Sequence, residues 1–520
     1  MSEDLCSLPA TTLRDLLARG DVSSREVVDA HLDRIATHDH TLRAFTQVFV
    51  DEARAEADVR DDERRRGISR GLLHGLPVTI KECFDLVGLP TTMGVRGLLH
   101  HRAARDAVMA TMLRESGAVI LGRTNLSQTM LFAESRNPIY GQTANPFSLD
   151  HTPGGSSGGE AAAVAAGLSP LGVGTDIGGS IRTPCSFTGI TGFKPTLDRL
   201  PSRGQNTILK GQEAVRSQSG PMARTVADLD LFFRAMDPVR MSALDPRVPP
   251  LPWRPLGSLA VRGLRVGYYA NDGVVPVSTA VARAVEVARA ALSEAGCETV
   301  PFTPPDVPSL FDEYLAAMSA DGGEGLMEAL REDPIDPTLA PLLSLAKLPD
   351  AVRRGIATAS KMSGQSGLSR MLNAMGKKSV RAFWGHIDAL RRYRLGLLDM
   401  MDAVGVDVIL CPAYATPALP HGMSKNFTAA STPALLYNAV QFPGGVVPVT
   451  RVRPDETKRP SPQGLVERHA AKVDARSAGL PVGVQLVARP WQDEVAMAAM
   501  AALEGALRER GDVPRTPVTP

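Results

Sequence analysis

The chain has 520 residues, of which 43% are hydrophobic, so it can bury a large core as one big domain or as two or three average ones. Its net charge of +1 gives no electrostatic pull toward nucleic acid, and a nucleic-acid partner is not expected. The five cysteines, Cys6, Cys83, Cys185, Cys297 and Cys411, are too few and too scattered for a disulfide framework and fit a reducing, cytoplasmic setting.

The opening residues Met1 to Leu5 lack a basic and then apolar leader pattern, so no signal peptide is expected. No uncharged apolar stretch reaches 18 residues, so no transmembrane helix is expected either. The ten histidines form no H-x-x-x-H pair, and neither metal nor cofactor is expected.

In chain order, residues 11–35 read as largely helical, with Ser23 and Glu26 as a capping box before a second helix. Residues 51–66 are highly charged and read as a solvated helix. Pro77–Lys81 reads as a short buried strand after a turn at Gly75. A helix over 106–116 leads to a strand over 118–122, and a small-residue helix over 160–166 to a strand over 171–173. Further strands fall at 264–268, 406–410 and 481–487, with helices at 279–295 and 492–508. This alternation predicts an α/β fold, a single large domain (residues 1–520) with a central mixed β-sheet covered by helices on both faces. Two segments break the pattern: 237–257 is proline-rich and reads as a surface connection, and 455–467 reads as a loop or partly disordered.

Three motifs carry chemistry. They are Val78-Thr79-Ile80-Lys81-Glu82, the run Gly154 to Glu160 (GGSSGGE), and Gly174 to Arg182 (GTDIGGSIR). A serine hydroxyl is a weak nucleophile at neutral pH and needs a base. A buried lysine can be that base, because burial favours losing the proton. Lys81 ends an apolar segment, which points to burial, whereas a strand-end lysine commonly reaches solvent. Ser180 follows Gly178 and Gly179, and such glycines let backbone N–H groups crowd an anionic centre. The plain alternative is a tight turn. The serine-glycine run is not a P-loop, since Glu160 rather than lysine follows Gly159. A flexible linker is disfavoured because the run opens directly into the helix-forming Glu160-Ala161-Ala162-Ala163.

The three motifs, in this order and spacing, closely resemble the amidase signature family, and the resemblance extends from about residue 13 to 510. It implies a Ser-Ser-Lys triad with Lys81 as base, Ser156 on a cis peptide as proton shuttle and Ser180 as nucleophile. It further implies an oxyanion hole from the N–H groups of Ile177, Gly178, Gly179 and Ser180. Asp176 and Arg182 become residues that orient the triad, beyond a local salt bridge. Ser157 is expected to hydrogen-bond within the site, and Thr175 is a further candidate. Met130 is a candidate acyl-pocket residue, with core filling as the plain alternative.

Within the family, Ile80-Lys81-Glu82-Cys83-Phe84, the run Asn137 to Thr143, and the segments Phe442 to Thr450, Gly479 to Gln485 and Pro490 to Gln492 resemble the fatty acid amide hydrolases. The implied substrate is a long-chain acyl amide. Alternatives are short, aryl or carbamate substrates, the glutaminase subunit of a tRNA-dependent amidotransferase, and a catalytically dead binding protein. The resemblance also implies a helical cap at 335–385. Within it, residues 342–378 combine Leu342, Leu343, Leu345, Leu348, Val352 and Ile356 with seven basic residues, a pattern that fits peripheral contact with a membrane. An ordinary packed helical pair and a homodimer are left open.

Overall fold

An eleven-stranded mixed sheet forms the centre of the molecule. The structure, a computed structural model, describes residues 4–520; residues 1–3, part of the stretch read above for a leader, lie outside the described residues. The strands are β1 (Phe45–Val48), β2 (Pro77–Lys81), β3 (Val119–Thr124), β4 (Leu171–Asp176), β5 (Thr191–Lys194) and β6 (Gln218–Ala223). They continue with β7 (Arg265–Tyr268), β8 (Glu298–Pro301), β9 (Val408–Pro412), β10 (Gly444–Arg451) and β11 (Pro481–Ala488). Their spatial order is β1-β3-β2-β4-β6-β5-β10-β11-β9-β7-β8. The trio β3-β2-β4 is parallel, as is β9-β7-β8, and the strands between them are antiparallel.

Helices cover both faces, and the strand side chains record it. Successive strand residues point to opposite faces. Val119 and Leu121 of β3 pack with residues of the helices Ser24–Leu42, Val50–Arg65 and Gly158–Ala165, whereas Ile120 joins a larger cluster on the other face. Likewise Val408 and Leu410 of β9 fall in that larger cluster while Ile409 and Cys411 fall in another. The chain is one α/β domain.

The stretch read as helical over 11–35 is two helices, Ala10–Arg19 and Ser24–Leu42, and the second starts at the expected Ser23–Glu26 capping box. The charged helix, Val50–Arg65, is not solvated all round: Ala53, Ala57, Arg60 and Glu63 are buried. The proline-rich connection contains the short helix Pro238–Leu244, because Asp237 caps the N–H groups of Val239 and Arg240 and proline suits a first helical turn. The 455–467 stretch is a loop that runs into the helix Gly464–Asp474. It is pinned rather than disordered, through ion pairs of Arg459 with Asp474 (2.9 Å) and of Glu456 with Arg283.

The 342–378 region is three helices, Ala340–Ala346, Asp350–Met362 and Ser366–Ala374, rather than one amphipathic face. Its apolar residues divide. Leu343 is buried, Leu342 and Leu345 line a cavity, and Val352, Ile356 and Met362 are exposed. Arg353, one of the seven basic residues of that membrane-contact pattern, is buried.

Candidate active site

Lys81 ends β2, between the parallel neighbours β3 and β4, and all five residues of β2 are buried. The Lys81 side chain is fully enclosed. Its Nζ donates to three hydroxyls: Ser156 Oγ at 2.8 Å, Ser157 Oγ at 2.9 Å and Thr175 Oγ1 at 2.8 Å. Burial pushes the amine down to about 8, only partly offset by Cys83, Asp176, Glu160 and Glu82 nearby.

Ser156 and Ser157 sit on a turn between the Gly154–Gly155 pair and the helix Gly158–Ala165, and the Gly155–Ser156 peptide is cis. Gly155 is a glycine for a steric reason: a Cβ there would collide with the Phe132 carbonyl and the Glu134 N–H. Ser157 links the turn to β4, since its Oγ accepts from Thr175 N–H and donates to Thr175 O, both at 3.2 Å. Ser157 N–H donates to the Ser180 carbonyl at 3.2 Å, which ties this turn to the next motif.

That motif leaves β4 at Asp176, crosses residues 177–181 and enters the helix Arg182–Thr188. Asp176 organises it. The carboxylate accepts from Gly179 N–H (2.8 Å), Ile181 N–H (3.1 Å) and Asn438 Nδ2 (2.9 Å). Arg182 grips both oxygens, Nε to Oδ2 at 3.0 Å and Nη2 to Oδ1 at 3.1 Å. Burial alone pushes the Asp176 carboxyl up, but Arg182, Lys194 and Asn438 outweigh it and hold it well below the usual carboxylate range. Arg182 in turn donates to Gln485 Oε1 (2.9 Å) and Asn438 Oδ1 (2.6 Å), so the ion pair is buried with its hydrogen bonds made. Of the four N–H groups expected at the oxyanion hole, that of Gly179 is therefore already committed to Asp176. Those of Ile177, Gly178 and Ser180 donate to no acceptor among the described residues.

Ser180 is 9% exposed and lines two cavities. The larger holds about 200 Å³ and is bounded by Met130, Ile177, Gly178, Tyr314 and Leu435 among others. The smaller holds about 20 Å³ and is lined by Ser156, Thr175, Thr207 and Ser217 among others. Met130 borders both. Tyr314 OH donates to the Ile177 carbonyl at 3.3 Å, which sets the loop against the larger cavity.

The predicted site residues thus come together. Thr175 is in direct contact with Lys81, a closer place than its sequence position suggests. Four residues of the site have no forecast role. Glu160, noted above only as a helix former and as the residue that excludes a P-loop, is buried beneath β2 and accepts from Thr79 and Thr124. Burial raises its carboxyl to about 7. Gly172 leaves room for it, since a Cβ there would strike the Glu160 carboxylate. Asn438 and Gln485 arrive from far along the chain, and Tyr314 from a helix with no motif.

A sequence model of the amidase family matches residues 26–497. A fatty-acid amide hydrolase 1 of Sus scrofa is 36% identical over 509 residues, covering 97% of this chain and 86% of that protein. A fatty acid amide hydrolase 1 of Caenorhabditis elegans is 33% identical, covering 96% of this chain and 88% of its own. Among solved structures, a fatty acid amide hydrolase superposes with a TM-score of 0.85 at 27% identity, covering 99% of this chain and 88% of that one. A bacterial aryl acylamidase superposes with a TM-score of 0.73 at 26% identity, covering 96% of each chain. By the family match, these relatives and the shared fold, the chain belongs to the amidase signature family and is an amide hydrolase.

Proposed function

We propose that this chain hydrolyses acyl amides, long-chain fatty acid amides among them, through a Ser180-Ser156-Lys81 triad. The observation that carries the reading is the enclosed Lys81 amine, 2.8 Å from Ser156 Oγ, beneath a serine that opens onto a cavity. With Lys81 neutral, so that Nζ donates to Ser157 and Thr175 and accepts from Ser156, Ser180 Oγ attacks the amide carbon while its proton moves to Ser156 Oγ, whose own proton moves to Lys81 Nζ. The tetrahedral oxyanion is met by the uncommitted N–H groups of Ile177, Gly178 and Ser180. Collapse of the intermediate breaks the C–N bond, and the proton returns through Ser156 to the leaving amine. Water then attacks the Ser180 ester by the same relay and releases the carboxylic acid.

The larger cavity supports an acyl substrate, since Met130, Leu131, Phe132, Met318, Leu342 and Leu345 all line it. The expected result is that purified protein alone turns over primary acyl amides, with kcat/KM rising from acetamide to long-chain members. An aryl acylamide or acetamide outpacing every long-chain amide would overturn the chain-length reading and favour a short or aryl amidase. Glutamine hydrolysis that needs an added partner would favour the amidotransferase reading.

The 335–385 region supports the cap. Val352, Ile356 and Met362 stand exposed on one helix beside Arg354 and Lys361, and Val380 and Trp384 stand exposed nearby in sequence. No helix among the described residues is long and apolar enough to cross a membrane. Peripheral contact predicts co-sedimentation with phosphatidylglycerol vesicles and loss of it in the Ile356→Glu, Met362→Glu double variant. Leu345 lines the cavity, so it is left unchanged in this test. Equal sedimentation of both proteins, or none, removes the membrane reading.

A further inference from the structure

We propose that the larger cavity ends in an anion subsite built on Arg353, so that the favoured acyl group carries a carboxylate at its far end. The proposal rests on the triad reading above and names its substrate class: the monoamide of a dicarboxylic acid.

The first step is direction. In the relay, Ser156 delivers the proton to the leaving nitrogen, and Ser156 lines the smaller cavity, not the larger. The amine therefore lies on the Ser156 side, and the acyl chain runs into the larger cavity. The helix Val307–Met318 forms one wall of that cavity. Tyr314 stands level with the nucleophile loop through its bond to Ile177, and Leu315, Met318 and Ser319 line the cavity beyond it. At the usual helical rise, Ser319 lies roughly 7 Å further along the axis than Tyr314. Ser319 Oγ accepts from Gly376 N–H at 3.2 Å, and Gly376, Met375 and Arg353 line the cavity there.

The second step is what Arg353 does at that end. Its residue is 7% exposed. Nε donates to the Leu372 carbonyl at 3.2 Å and Nη2 to Asp350 Oδ1 at 2.6 Å, while Nη1 makes no hydrogen bond among the described residues. The guanidinium lies against the backbone of Gly376, whose φ is +100°, and a Cβ at that position would collide with it. A guanidinium fixed in this way presents a spare donor to a carboxylate, and buried Arg–carboxylate hydrogen bonds are among the strong ones.

The third step is charge. Asp350, the one carboxylate paired with Arg353, is half exposed. Lys378 sits beside the same end, its Nζ donating to the carbonyls of Ala374 (2.7 Å) and Met375 (3.2 Å). Burial and then the Arg353 charge lower its amine, with Asp350 and Glu313 opposing. Asp321 lines the cavity too, but its oxygens are taken by Gly323 N–H (2.8 Å) and Gly325 N–H (2.9 Å). Arg353 and Lys378 thus stand against Asp350 and Asp321 at the far end, and the carboxylate preference rests on the free Nη1 donor of Arg353 and not on an excess of cation.

The experiment compares kcat/KM for acyl amides of equal carbon number ending in methyl or in carboxylate, across a series of lengths. In the wild type, the carboxylate-ended member should win at one length by about 10- to 100-fold, the discrimination available to one charge-assisted hydrogen bond. Arg353→Met should collapse the ratio. Gly376→Ala, which displaces the guanidinium without removing it, should collapse it as well. A wild type that prefers methyl ends at every length overturns the proposal whether or not the variants fold. So does an unchanged ratio in folded Arg353→Met, which would leave Arg353 a brace between helices. If no amide is turned over, the triad reading fails instead, and calorimetric binding of the free mono- and dicarboxylic acids still reads the subsite: tighter binding of the dicarboxylic acid supports it, and equal binding overturns it.

Discussion

Ser180→Ala is expected to abolish covalent labelling by a fluorophosphonate and to lower kcat/KM on any acyl amide by roughly 10⁴-fold or more, the scale of losing a nucleophile that acts as part of a unit. The variant should fold. The loop that carries Ser180 is shaped by main-chain bonds that the substitution leaves in place: Gly179 N–H and Ile181 N–H to Asp176, and Ser157 N–H to the Ser180 carbonyl. Removing Oγ therefore removes chemistry and little else. Circular dichroism and the thermal midpoint should match the wild type. Full labelling of a folded Ser180→Ala protein would place the nucleophile elsewhere.

Lys81→Ala should be nearly as damaging, about 10²- to 10⁴-fold in kcat/KM, the range of general-base catalysis. Ser156→Ala should fall between Lys81→Ala and the wild type, since a water can stand in for a shuttle. The pH profile is the sharper measurement. Only the unprotonated amine can accept a proton, so kcat/KM in the wild type should climb as pH rises and level off above about 8. That limb should vanish in Lys81→Ala. Stability has a matching sign. Burial depresses the Lys81 value to about 8 in the folded chain. The unfolded chain holds its proton up to about 10.4. Between those values the unfolded state binds more protons, so the Lys81 contribution to stability rises with pH across that window. Near wild-type activity of Lys81→Ala at pH 7 would mean that the base is another group.

Much of this site can be read in the sequence, because its three motifs are local. Lys81 ends a short apolar strand and the serines follow glycines, and each feature shows in a window of a few residues. The Asp176 cluster is different. Its ion pair with Arg182 spans six positions and is legible, but Gln485 reaches Arg182 across 303 positions and Asn438 across 256. No periodicity records such a bond. In the fold, strands with regular apolar runs, such as β2 and β11, are legible. β6 and β10 lie inside the sheet yet contain Pro221 and Pro448, and proline in a strand reads as its interruption. The long helix Val380–Val404 has only three buried residues, Leu390, Leu397 and Met401, too sparse a stripe to stand out. Arg353 is misread as surface because a basic residue on an amphipathic helix usually is one, and only the packing of Gly376 against it shows otherwise.

The reach of the Asp176 cluster sets an order of events during synthesis. The nucleophile loop leaves the ribosome early, but two of the groups that fix it, Asn438 and Gln485, lie in the last sixth of the chain. Contacts of such separation close late, after the loop entropy between them has been overcome. A nascent chain that already carries Lys81, Ser156 and Ser180 thus lacks the carboxamides that hold Arg182 and Asp176 in place. Under the proposed triad, hydrolytic competence would arrive with the closing strands of the sheet, not with Lys81, Ser156 and Ser180 themselves.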